Sequence, residues 1–439
     1  MRSAVIFLTL MSFASLSWSQ PSSNKKSAQL LLIKQNGKYG YIDRKGNVIV
    51  DPKFDGVKEF AEGLAAVNLR QDAGPSKGPV VVETTGDRWG YIDTTGKTII
   101  PAQFNDASEF SEGLASVKMN EKYGFIDTRG RFIVEAEFDD ARDFIEGLGI
   151  VRVGDQKTGT WRYIDKTGRG ITETQFEIAT QFSEGLAAVR TAGKWGYIDK
   201  TGRMTTEAQF EGATQFSEGL AAVRTGRKCG YIDRMGRMVI EAQFETAWKF
   251  CDGLAAVKTD GKWGYIDKTG RMLTVPLYET VALRFSEGLA SVKIGGKFGY
   301  IDKTGRTIVE PQFDIATEFS EGFAAVQTGG KWGYVDTTGK TLIAPEFAYA
   351  CAFREGLACV NAGGTPTTYG GVLGGKWGFV DETGKVIIEP QFDRVEYSSF
   401  SNGVAKVNIG GGPDKYGIFE GGKWGYIDTT GRYIYKPTE

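Results

Sequence analysis

Short apolar runs, each about the length of a strand, alternate with glycine-rich punctuation from Leu30 almost to the last residue. In the stretch from Leu220, LAAVRT is followed after two residues by KCGYID and then by MVIEAQF. In the related segment Trp195-Gly196-Tyr197-Ile198-Asp199 the two aromatics fall on one face of a strand, with Gly196 and Ile198 on the other. Gly196 leaves a gap into which another backbone or ring can fit. Asp199-Lys200-Thr201-Gly202 has the order of a type I turn closed by a left-handed residue. The pattern predicts a three-stranded meander. A connector through Phe210, Ala213 and Phe216 follows, and their spacing by three predicts one buried helical turn.

The unit recurs. Its turn aspartate stands at Asp43, Asp93, Asp127, Asp165, Asp199, Asp233, Asp267, Asp302, Asp336, Asp381 and Asp428, with steps of 34, 34, 34, 35 and 34 residues between Asp165 and Asp336. That period also occurs in paired-helix repeats, but Gly193, Gly196, Gly202, Gly212, Gly219 and Gly226 in one unit leave no room for two uninterrupted helices. LLLIK at Leu30 opens the array in frame and Tyr433-Ile434-Tyr435 closes it. The expectation is an all-β tandem-repeat array of eleven three-stranded β-meander units over residues 30–437. One unit cannot bury both aromatics alone, so neighbours must stack. Because propellers usually hold 4 to 8 four-stranded blades, the array is expected to be open, curved or spiral and solenoid-like, not a single closed propeller.

The 439 residues are 41% hydrophobic and 24% charged, enough for a folded core. Lys and Arg number 53 against 54 acids, which argues against a chain-wide surface for nucleic acid. The chain has no histidine, which removes imidazole bases, Ser-His-Asp triads and His-ligated metals. Residues 1–19, with Arg2, an apolar stretch from Ala4 to Leu16 and small Ser17 and Ser19, read as a secretory signal peptide, followed by a linker over 20–29. The mature chain is therefore expected to be exported, to a periplasm, cell surface or beyond, without a transmembrane segment. Cys229, Cys251, Cys351 and Cys359 sit where other repeats carry packing residues, so buried free thiols are expected, with a Cys351–Cys359 pairing left open.

KWGYIDKTG at Lys194 and Lys262, KWGYVDTTG at Lys331, KWGFVDETG at Lys376 and KWGYIDTTG at Lys423, with PQFD and FSEGLAAV between them, resemble the bacterial WG-repeat family, also called KWG repeats. The resemblance spans about Leu30 to Pro437. It implies β-rich tandem repeats on exported or multidomain proteins and no common reaction. Tyr39, Tyr123, Cys229 and Phe298 replace the Trp, and Arg162 replaces the Gly after it, so the fourth unit is expected to pack differently there.

Three columns could carry chemistry. Glu62, Glu112, Glu146, Glu184, Glu218, Asp252, Glu287, Glu321 and Glu355 each precede a connector Gly. Two acids about 5 to 10 Å apart would serve a glycosidase, but an acid in nearly every unit fits a turn acceptor or a partner for a basic column better. The turn aspartates offer one acid per unit, too few for calcium. Lys194, Lys228, Lys262, Lys297, Lys331, Lys376 and Lys423 precede the aromatic, and Arg131, Arg169, Arg203, Arg237, Arg271, Arg306, Lys340, Lys385 and Arg432 follow the turn Gly. Unpaired, they would suit a polyanion; paired with the glutamates, they form a solvated surface. Trp89, Trp161, Trp195, Trp263, Trp332, Trp377 and Trp424 could stack sugars, but their fixed strand position reads as core between units.

Insertions at 71–87, 154–160, 363–374 and 409–420 enter between the first and second meander strands, which places them on one rim. The first holds Pro75, Lys77, Pro79 and Glu83, and the third holds Pro366 and Tyr369. No residue is assigned a catalytic, cofactor-binding or metal-binding role, and no cofactor is implied. The expected function is that of a monomeric, non-enzymatic exported scaffold binding a protein or envelope glycan, with a carboxylate-pair hydrolase and a polyanion binder as alternatives.

Overall fold

The computed structural model describes residues 30–71, 86–367, 371–413 and 419–436. The expected signal peptide and linker, together with Pro75, Lys77, Pro79, Glu83 and Tyr369, lie outside the described residues.

Each repeat forms one small antiparallel sheet, here called a blade, and blade 6 shows its construction. Its strands are Gly212–Ala213, Leu220–Thr225, Lys228–Asp233 and Met238–Phe244, hydrogen-bonded in chain order. The last three are the expected meander. The first corrects the helical turn expected in the connector: Gly212 and Ala213 pair with Arg224 and Val223, and Glu211 N–H donates to the Arg224 carbonyl. The chain leaves the preceding strand at Phe210 still extended, so pairing at once satisfies amides that a single turn of helix would leave open. Eight blades have four strands and blades 1, 4 and 7 have three.

Between the third and fourth strands Cys229 pairs with Phe244 and Tyr231 with Ile240, so three residues of one strand bulge against Gly230 alone. A Cβ on Gly230 would sit 2.4 Å from the Ile240 carbonyl oxygen. The backbone expected to approach this glycine is therefore its own blade's fourth strand. In blade 4, where Arg162 replaces that glycine, the fourth strand is reduced to the bridges Trp161↔Phe176 and Ile164↔Gly170, the different packing expected there. Blade 7 loses the regular strand with Gly264 in place; there the Thr274 hydroxyl accepts the Tyr265 amide, taking the place of a strand carbonyl.

Both faces of each blade are covered. Leu220 and Ala222 pack with Tyr231, Phe250, Ala255 and Val257 toward blade 7, while Ala221 and Val223 pack with Tyr197 and Phe216 toward blade 5. The paired alanines of LAAV let successive sheets approach closely. At ten interfaces the aromatic one residue past the WG glycine position, held by Arg162 in blade 4, meets a connector Phe of the next blade at 4.7 to 5.1 Å between ring centres. Where that aromatic is Tyr, its hydroxyl also donates to a connector carbonyl of the next blade, as Tyr197 to Thr214 at 2.7 Å and Tyr231 to Trp248 at 2.7 Å.

An open stack of eleven blades has ten interfaces. This molecule has eleven interface clusters, and the eleventh joins Leu31, Ile33 and Ile42 of blade 1 to Val404 and Tyr426 of blade 11. Tyr426 donates to the Leu32 carbonyl at 2.8 Å and Arg44 to the Asn402 carbonyl at 2.8 Å. Gly46 of blade 1 lies against the Ile434 carbonyl of blade 11, where a Cβ would not fit. The expected open, solenoid-like array of three-stranded units is thus overturned: the repeats close into an eleven-bladed β-propeller. Closure depends on the small rotation from blade to blade summed over the array, set by how all the interface residues fill the wedge.

The expectation of four free thiols also fails in part. Cys351 and Cys359 form a disulfide across blade 10, with Cα atoms 5.2 Å apart, whereas Cys229 and Cys251 are free. No helix among the described residues is long and apolar enough to cross a membrane.

Candidate functional site

The glutamate column forms a belt between blades. Glu62, Glu112, Glu146, Glu184, Glu218, Asp252, Glu287, Glu321 and Glu355 all adopt left-handed φ values of 52 to 55°, each followed by a glycine with positive φ. Together they make two-residue type I′ hairpins, as in Ser217-Glu218-Gly219-Leu220, where Ser217 and Leu220 exchange both backbone hydrogen bonds. A left-handed glutamate costs about 1 kcal/mol or more, and the next blade offsets it. The Glu184 carboxylate accepts the Glu218 amide at 2.6 Å and the Gly219 amide at 2.9 Å; Glu321 holds Glu355 and Gly356 in the same way. Lys166, Lys200 and Lys268 add ammonium groups 3.0 to 3.2 Å from Glu112, Glu146 and Glu218. The eight glutamates of the column each accept a backbone amide of a neighbouring hairpin, whereas the shorter Asp252 instead lies 3.6 Å from the Lys303 ammonium. Glu184→Ala is expected to cost about 1–2 kcal/mol through the lost charge-assisted bonds, read by chemical denaturation; an unchanged midpoint would remove the belt from the structure's support.

The turn aspartates are equally committed. Asp93 Oδ1 accepts the Thr95 amide and hydroxyl and the Lys97 amide, and the same set recurs at Asp199 with Thr201 and Arg203. The Thr95 hydroxyl, ahead of the amide donors, holds the Asp93 carboxyl below its ordinary value, and all eleven turn aspartates are shifted down. A carboxyl depressed in the folded state contributes stability that is full above its unfolded pKa, near about 3.9, and lost as pH falls through the folded value. Melting temperature is accordingly expected to stay level from neutrality to about pH 5 and to drop below about pH 4. A melting temperature held constant to about pH 2 would contradict this.

Neither basic column lies bare along its length. Lys38, Lys122, Lys194, Lys297 and Lys376 pair with the acid that opens the following connector, at 2.6 Å for Lys194–Glu211. Arg131, Arg237, Arg271 and Arg432 pair with their own turn aspartates. The expected pairing with the glutamate column is not what forms: the cations that pair take other acids, and Lys228, Lys262, Lys331 and Lys423 make no ion pair among the described residues. Tryptophan carries less of the core than expected. Trp332 and Trp377 are buried, but Trp89, Trp161, Trp195, Trp263 and Trp424 are half-buried, and the fully buried ring is the tyrosine two residues on.

The insertions leave blades 2, 4, 10 and 11 at the same hairpin, between the second and third strands. Ring closure makes blades 10, 11, 1 and 2 neighbours, so three of the four insertions share one arc of the rim. Sequence reasoning placed their entry points on one edge but could not bring blade 2 within two blades of blade 11. It also missed a buried clamp. Asn361 donates to the Gly374 carbonyl and accepts the Gly364 amide, and Asn408 does the same with Gly421 and Gly411. Asn68 is their counterpart in blade 2, and the eight other blades carry Lys, Arg or Gln there. Asparagine at that one position was the available signal: it marks the three long insertions.

One cavity of about 340 Å³ opens between blades 3 and 4, lined by Asp106, Asp140, Asp143, Arg142 and Tyr123 among others. Burial pushes the Asp143 carboxyl up, and burial followed by Glu59 does the same to Glu109. Burial and then Asp106 push Tyr123 up to about 12. The Arg142 guanidinium lies 4.2 Å from the centre of the Trp161 ring. Among the described residues no group of three His, Cys, Asp or Glu side chains could hold a metal ion.

No curated protein matches the chain. Among solved structures, one described as the crystal structure of the eukaryotic initiation factor is 11% identical, with a TM-score of 0.44, covering 84% of this chain and 97% of its own. Hsv2 from Kluyveromyces lactis, with complete loop 6CD, is 11% identical with a TM-score of 0.30, covering 62% of this chain and 94% of its own. Neither likeness bears on what this chain binds. The profile of the WG containing repeat matches ten times, over residues 39–71, 89–123, 123–156, 161–195, 195–229, 230–263, 263–298, 298–332, 332–365 and 377–412. With most of its length matched, the chain belongs to the WG containing repeat family.

Proposed function

We propose that this propeller is an exported, non-catalytic binding scaffold whose insertion-bearing arc engages a protein or an envelope glycan. The observation that carries the reading is that the 363–374, 409–420 and 71–87 insertions leave from the same hairpin of blades 10, 11 and 2, which ring closure puts on one arc. Several shallow contacts on one rigid body bind together more strongly than any one of them does alone. The Cys351–Cys359 disulfide supports export, because such bonds persist in oxidising compartments. Half-buried tryptophans leave partial ring faces for a sugar. The test is a pull-down and glycan-array screen of the exported chain against a variant lacking residues 363–374. Because the deletion removes Gly364 and Gly374, the partners of the buried Asn361, it is made together with Asn361→Arg, the residue type of an uninterrupted blade, and is expected to lower retention of the captured partner at least tenfold. Equal capture by both proteins would refute the arc.

A carboxylate-pair hydrolase has one supporting observation: Asp143, its carboxyl pushed up by burial, lines a cavity that Asp140 and Asp106 also line. Turnover of any glycan that is abolished by Asp143→Asn with binding retained would favour that reading over the scaffold.

A further inference from the structure

The repeat fixes what each interface should hold, and between blades 3 and 4 the residues depart from it together. Between blades 5 and 6 the corresponding side chains are Ile178, Thr180, Ala188, Trp195, Gly212 and Gln215, none of them charged. Between blades 3 and 4 they are Asp106, Ser108, Ser116, Tyr123, Asp140 and Asp143, and all six line the cavity of about 340 Å³. Asp opens the connector strand in these two blades and in no other. Tyr123 also fills less space than the tryptophan of blade 5, which leaves room at the wall. Packing of the repeat accounts for none of these exchanges.

Two neutral groups on the wall lack partners. Ser116 is 5% exposed, and its amide donates to the Ser108 hydroxyl at 2.9 Å, but its own hydroxyl makes no hydrogen bond among the described residues. A buried hydroxyl ordinarily has a partner, and here the side chain borders the cavity. The Gln181 side-chain amide, on the same wall, makes no hydrogen bond among the described residues either. The charges are also unbalanced. Asp106 lies 3.7 Å from Lys58 and Asp140 lies 3.5 Å from Arg152. Asp143 forms no ion pair among the described residues, and burial pushes its carboxyl up against the opposing Ser108 hydroxyl and Lys58 charge. Arg142, the cation on the wall, instead donates to the Ala179 carbonyl at 3.2 Å and lies over the Trp161 ring.

We propose that this cavity binds a small polyhydroxylated ammonium, of the class of an amino sugar, with its ammonium on Asp143 and its hydroxyl groups on Ser116 and Gln181. The ammonium gives Asp143 the cationic partner that Asp106 and Asp140 already have. The hydroxyl groups satisfy the two unbonded side chains. The volume equals about eleven waters of the liquid and stands at the lower end of the range for small-molecule sites, which suits a single sugar ring. The site lies apart from the insertions of blades 10, 11 and 2 and needs no turnover, so its ligand is independent of what the arc engages.

The probe is glucosamine, titrated calorimetrically against the full chain at about pH 7, where an amine of this kind is still largely protonated. Glucose is the neutral control. Saturable binding is expected for glucosamine and not for glucose. Asp143→Gln is expected to weaken it about tenfold or more and Ser116→Ala about fivefold, through the loss of one charge-assisted and one neutral hydrogen bond. Both substitutions install the residue that blades 5 and 6 carry at that position, so folding is not at issue. Gln215→Ala, at the position of Asp143 two blades on, is expected to leave the affinity unchanged. No saturation at millimolar glucosamine, equal binding of glucose, or native affinity in Asp143→Gln and Ser116→Ala would each overturn the proposal.

Discussion

Gly230→Ala is expected to destabilise the protein by about 3 kcal/mol or more, far beyond the usual effect of adding one methyl group. The new Cβ would lie 2.4 Å from the Ile240 carbonyl oxygen and 2.8 Å from the Ala242 nitrogen, both backbone atoms of the bulged fourth strand. Only the Met238 side chain, 2.7 Å away, could swing aside. The strand must lift, and the pairs Cys229↔Phe244 and Tyr231↔Ile240 open with it. The measurement is a denaturation midpoint combined with hydrogen exchange across Met238–Phe244. A variant with native stability and native protection there would show that the glycine is not required by the bulge.

Phe250→Ala is expected to cost about 3–5 kcal/mol, and Tyr231→Phe about 1 kcal/mol, although the two rings touch. Phe250 is fully buried between blades 6 and 7, its ring centre 4.8 Å from that of Tyr231, in a cluster drawn from both sheets. Truncation leaves a cavity that two rigid sheets cannot collapse into. Removing the Tyr231 hydroxyl loses only its bond to the Trp248 carbonyl, and blades 3 and 10 already use Phe125 and Phe379 at this position. Thermal unfolding of both variants gives the comparison. Equal losses would mean that the hydroxyl, not ring packing, joins the blades.

The repeat, the three meander strands, the Asp-x-x-Gly turn and the close approach at the WG glycine could be read from residue types, because each follows from local rules of period and turn chemistry. The two-residue connector strand could not. Phe210, Ala213 and Phe216 satisfy a helical spacing, and only the neighbouring strand at Val223 and Arg224 makes extended pairing the better outcome. Tryptophan drew attention by size, yet Tyr197 and its counterparts are more deeply buried because their place in the strand faces the middle of the next sheet. The role of Glu184 as an acceptor was in view; that its donors lie one blade away, at Glu218 and Gly219, depends on stacking. Closure is the furthest from local rules, since Leu32 and Tyr426 stand at opposite ends of the array and meet only when every intervening blade adds its share of rotation.

Closure is tested most directly by a distance across the seam. Spin labels at Lys45→Cys and Thr430→Cys occupy the same exposed turn position on blades 1 and 11, in a background in which the free thiols are removed as Cys229→Ala and Cys251→Ser. Thr201→Cys with Met235→Cys marks the equivalent pair on consecutive blades 5 and 6. Double electron–electron resonance should give coincident distance distributions for the two pairs. A Lys45–Thr430 separation well beyond the Thr201–Met235 distance, or no dipolar signal across the seam while the control pair reports one, would contradict the closed ring.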